Sequence, residues 1–87
     1  MAHTEELRGQ RLRALGQAIR SRRASLGITQ AAVGGLVGIA QADVSRIEIG
    51  RHALRIDRPW MICDALEITP AGLLAVADEI VERLRAE

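Results

Sequence analysis

The chain has 87 residues, which implies one small domain burying about two-thirds of the surface its unfolded form exposes. One cysteine, Cys63, excludes an internal disulfide framework, and no apolar run is long enough for a membrane span. The start, "MAHTEELRGQ", has no secretory pattern, so the expected location is the cytoplasm.

Every basic side chain is arginine, and the net charge of +1 is unevenly spread. Residues 1–58 hold ten arginines against five acids; residues 59–87 hold two against six. An anionic partner is therefore expected at the N-terminal part.

Leu12, Leu15, Ile19 and Leu26 recur at helical spacing and predict a first helix from about Leu7 to Leu26. Thr29 is a suitable N-cap for a second helix, Gln30 to Val37. A third helix, about Gln41 to Ile49, turns Val44 and Ile47 inward. Pro59 suits the first turn of a fourth helix reaching Leu66, with Trp60 and Cys63 expected in the core. Thr69-Pro70 opens a fifth, extended helix to about Arg85. No strand-like alternation is present. The predicted fold class is all-α with five helices.

Only "GIA", residues 38–40, separates the second and third helices. A joint this short forces a sharp crossing and needs a small residue at the contact, for which Gly34 is placed. With its apolar side inward, the third helix shows Gln41, Ala42, Ser45 and Arg46 outward. A helix about 10–12 Å wide enters the major groove of B-DNA, where arginine reads guanine and glutamine reads adenine. This is a helix-turn-helix over residues 29–50, with its third helix reading double-stranded DNA.

The stretches "LGQAIRSRRASLGITQAAVGGLVGIAQADVSRIEIGR" and "WMICDALEITPAGLL" resemble the lambda-repressor-like helix-turn-helix family of phage Cro and repressor proteins and restriction–modification controller proteins. The resemblance implies base contacts from Gln30, Gln41, Ala42, Ser45 and Arg46, and a structural ion pair between Arg23 and Glu48. Ala40 departs from the family pattern, which favours a hydroxyl there. Asp43 would repel phosphate unless it caps the third helix.

Phosphate contacts are expected from Thr29 at the second helix N-terminus, and from Arg51, His52 and Arg55 in the following loop. His3, His52 and Cys63 form no metal or nucleophile cluster, and neither an enzyme, a cofactor nor a small-molecule effector is expected. In the last helix Leu73, Ala77, Ile80 and Leu84 form a stripe expected to make a homodimer interface. The expected function is a dimeric transcriptional regulator on a palindromic operator. The alternatives are an antitoxin that also binds a toxin, and a protein-interaction module that has lost DNA binding.

Overall fold

The computed structural model describes residues 2–51 and 58–86, and there it is all-helical: α1 Ala2–Ser25, α2 Gln30–Val37, α3 Gln41–Glu48, α4 Arg58–Ala65 and α5 Pro70–Ala86. No single helix among the described residues is long and apolar enough to cross a membrane. The α2 boundaries match the sequence expectation, because Thr29 caps it by accepting the Ala32 N–H at 3.0 Å and Gly38 closes it at φ +82°.

The largest difference lies in α1, which begins near Ala2 rather than at Leu7. No apolar repeat marks this extension, but Glu5 sits favourably in the first turn and no helix breaker precedes Leu7. Three of the four residues expected at a dimer seam are placed elsewhere. Leu7, Leu12 and Leu15 of α1 border one groove with Leu74, Ala77 and Val81 of α5. Leu73, Ala77 and Ile80 are accordingly buried within the chain's own core, and only Leu84 of the expected four-residue seam remains exposed. Most of the stripe is thus used inside the chain.

Trp60 is a second correction, being 60% exposed. The helical repeat turns Ile62, Cys63 and Leu66 into the core and leaves Trp60 on the flank of α4. Burial, and secondarily the Asp64 charge, push the Cys63 thiol pKa up, away from the reactive thiolate.

The α2–α3 crossing works as expected. Gly34 is buried, and a β-carbon there would lie 2.6 Å from the Ile39 carbonyl oxygen. At the start of α3, Ala40 has the extended backbone of an N-cap (φ −69°, ψ 149°) but no side-chain capping bond. Ala40→Ser is expected to raise stability by about 1 kcal/mol by capping an orphan N–H. An unchanged urea midpoint would show that water already satisfies that group.

The turn after α4 has an unusual stop. Ile68 N–H donates to the Cys63 carbonyl and Glu67 N–H to the Asp64 carbonyl, the pair of hydrogen bonds of a left-handed helix terminus. Glycine usually occupies that position, but here Glu67 sits at φ +54°. Arg22 holds the turn, donating from Nε to the Leu66 carbonyl and from Nη2 to the Glu67 carbonyl, both at 2.8 Å.

Candidate nucleic-acid interface

The surface around α3 is organised by one buried carboxylate. Glu48 is 3% exposed, the one buried charged residue among those described. Arg23 donates to both its oxygens, from Nε to Oε2 at 2.7 Å and from Nη2 to Oε1 at 3.0 Å, and from Nη1 to the Ile28 carbonyl at 3.0 Å. The hydrogen bond to Glu48 raises the Arg23 pKa above its ordinary value; burial opposes the rise and the Glu48 charge adds to it. The pair links the end of α1 to the end of α3.

Two glutamines continue this network to the surface. Gln30 Nε2 donates to Glu48 Oε1 at 2.9 Å, and Gln41 Nε2 donates to Gln30 Oε1 at 2.6 Å. Gln30 is half-buried and Gln41 exposed. Arg23, Thr29, Gln30, Ala31 and Gln41 line one open concavity where α2 begins. Of the first N–H groups of α2, which have no partner within the helix, that of Ala32 is capped by the Thr29 hydroxyl.

On α3, Val44 and Ile47 are buried, Gln41, Ala42 and Arg46 are exposed, and Ser45 is half-buried. Asp43 does not cap the helix with its side chain; its carboxylate accepts from Arg46 Nη1 at 3.0 Å. The expected repulsion of phosphate is thereby reduced, and Arg46 starts from an ion pair rather than from bulk water. Arg51 is exposed beyond the end of α3. His52 and Arg55 lie outside the described residues.

Sequence reasoning placed Gln30, Gln41 and Arg46 on this surface but not their links to Glu48 and Asp43. The Arg46–Asp43 link was readable as an i, i+3 pair of opposite charge. The Gln30–Glu48 link joins residues eighteen positions apart and exists only through the α2–α3 crossing.

Two short helices, a three-residue joint and a polar outer face on the second helix define a helix-turn-helix. Residues 14–76 match the family model described as helix-turn-helix domain, and the chain belongs to that family. No curated protein matches it significantly. Among solved structures it is similar to the clp gene regulator ClgR from Corynebacterium glutamicum, with TM-score 0.84 and 28% identity over 88% of this chain and 81% of that one. A second structure of that regulator gives TM-score 0.75 and 30% identity over 80% of this chain and 90% of that one. The restriction-modification controller protein C.AhdI from Aeromonas hydrophila gives TM-score 0.69 and 27% identity over 71% of this chain and 94% of that one. Family and neighbours identify a DNA-binding protein of the regulator class rather than an enzyme.

Proposed function

We propose that the chain is a sequence-specific transcriptional regulator that binds a palindromic operator as a homodimer, with α3 in the major groove. The observation that carries this is the division of α3: Val44 and Ile47 buried, Gln41, Ala42 and Arg46 exposed. Its similarity to a gene regulator and a restriction-modification controller supports the same reading. Gln30, Gln41, Ala42, Ser45 and Arg46 read bases. The N-terminus of α2 at Thr29 and the exposed Arg51 hold phosphates. The homodimer interface moves from Leu73, Ala77 and Ile80 to the exposed apolar residues of the same helix, Leu74 and Leu84, which are 55% and 37% exposed. A two-fold dimer sets its reading helices about 34 Å apart, one turn of DNA.

Selection of bound sequences from a random duplex library is the test. The expected result is a palindrome with half-sites one turn apart. Binding should weaken with salt as phosphate contacts release counterions. Arg46→Ala should then weaken operator binding about 5- to 150-fold and relax one position of each half-site, the loss of one bidentate base contact. No enriched sequence, or wild-type affinity in Arg46→Ala, would count against this function.

A further inference from the structure

We propose that the buried Glu48 carboxylate, acting through Gln30, fixes the polarity of the Gln41 amide and so selects adenine over guanine at the base that Gln41 faces. The proposal rests on α3 being the reading helix. It adds a residue that never touches DNA to those that set sequence preference.

A carboxylate only accepts hydrogen bonds, and both Glu48 oxygens accept from the Arg23 guanidinium. The amide group that Gln30 turns toward Glu48 Oε1 must therefore be its NH2, as found at 2.9 Å. That turns the Gln30 carbonyl oxygen toward Gln41. A carbonyl also only accepts, so Gln41 must in turn present its own NH2, as found at 2.6 Å. The chemistry thus runs in one direction, from the charge inside to the amide outside. Gln41 is left with its Oε1 and one N–H for a base edge. An acceptor beside a donor fits adenine, whose N6 donates and whose N7 accepts. Guanine presents two acceptors, O6 and N7, and sets O6 against the Gln41 oxygen.

Removing the first link should loosen the last. Glu48 Oε1 accepts from both Arg23 Nη2 and Gln30 Nε2. Arg23→Met together with Glu48→Leu removes that acceptor without leaving a buried charge, and the Gln30 amide no longer has a fixed direction to pass to Gln41. Gln30→Leu instead breaks the chain while leaving the Arg23–Glu48 pair in place. The Gln41 amide is then free to take either orientation.

The experiment is library selection with the wild-type protein, the Arg23→Met, Glu48→Leu double variant, Gln30→Leu and Gln41→Ala, with each variant's fold checked by circular dichroism. Gln41→Ala marks the position concerned as the one whose preference disappears. At that position the wild type is expected to select adenine. The double variant and Gln30→Leu should each lower the adenine-to-guanine ratio several-fold, a free glutamine keeping only its own preference for adenine. A residue that merely supported the fold would weaken binding at all positions together and leave the base choice unchanged. If the double variant does not fold, Gln30→Leu, which breaks the same chain one step later, decides. An undiminished adenine-to-guanine ratio in either folded variant overturns the proposal while leaving the regulator reading intact. A wild-type protein that enriches no sequence overturns both.

Discussion

Arg23→Ala is expected to destabilise the protein by about 3–5 kcal/mol, the cost of leaving a buried carboxylate without its cation. The Glu48 side chain is 1% exposed, so the guanidinium and not bulk water compensates its charge. The variant loses both hydrogen bonds to Glu48 and the one to the Ile28 carbonyl, leaving Gln30 as a single neutral donor to the carboxylate. A chain of 87 residues has roughly 4–13 kcal/mol of total stability to lose. Urea unfolding followed by circular dichroism measures the loss. Replacing both partners, with Arg23→Met and Glu48→Leu together, should recover much of it, since no charge then remains buried. A loss below about 1 kcal/mol in the single variant would mean that the pair behaves like an exposed salt bridge.

A glycine comparison gives the second large effect. Gly16 lies where α1 crosses the end of α3, and a β-carbon there would fall 2.4 Å from the carbonyl oxygens of both Ile47 and Glu48. Those atoms are backbone, so no side-chain rotation relieves the clash. Gly16→Ala is expected to cost at least the upper end of the usual 1–3 kcal/mol for overpacking. Because relief requires moving α3, affinity for DNA should fall as well. Gly35 is exposed in α2 with nothing within 4 Å of the same added atom. Gly35→Ala should raise stability by about 0.5–1 kcal/mol, the ordinary gain from replacing a helical glycine. Urea midpoints of opposite sign are the expected outcome. A tolerated Gly16→Ala would show that the α1–α3 crossing is looser than its geometry implies.

These positions also mark how far the sequence could be read. The α2 boundaries and the Gly34 contact were legible because a cap, a stop and a short joint are local signals. Arg23 and Glu48 were matched through the family resemblance, whereas the reach from Glu48 to Gln41 needed the helix crossing. Gly16 carried no signal, since a helical glycine reads only as a propensity loss until the crossing backbone is known. The α5 stripe was visible, but its occupant was not. Nothing apolar before Leu7 announced that α1 begins near Ala2 and lies along α5. Trp60 shows the limit of composition: a large apolar side chain is exposed when its angular position on an eight-residue helix falls off the buried face.

The adjacent arginines Arg22 and Arg23 leave the last turn of α1 toward different neighbours, one holding the turn after α4 and the other the end of α3. Helix ends ordinarily fray. This one is an anchorage shared by two parts of the molecule, so slack at either is felt at the other. Unwinding of that last turn of α1 would therefore release the turn after α4 and the end of α3 together.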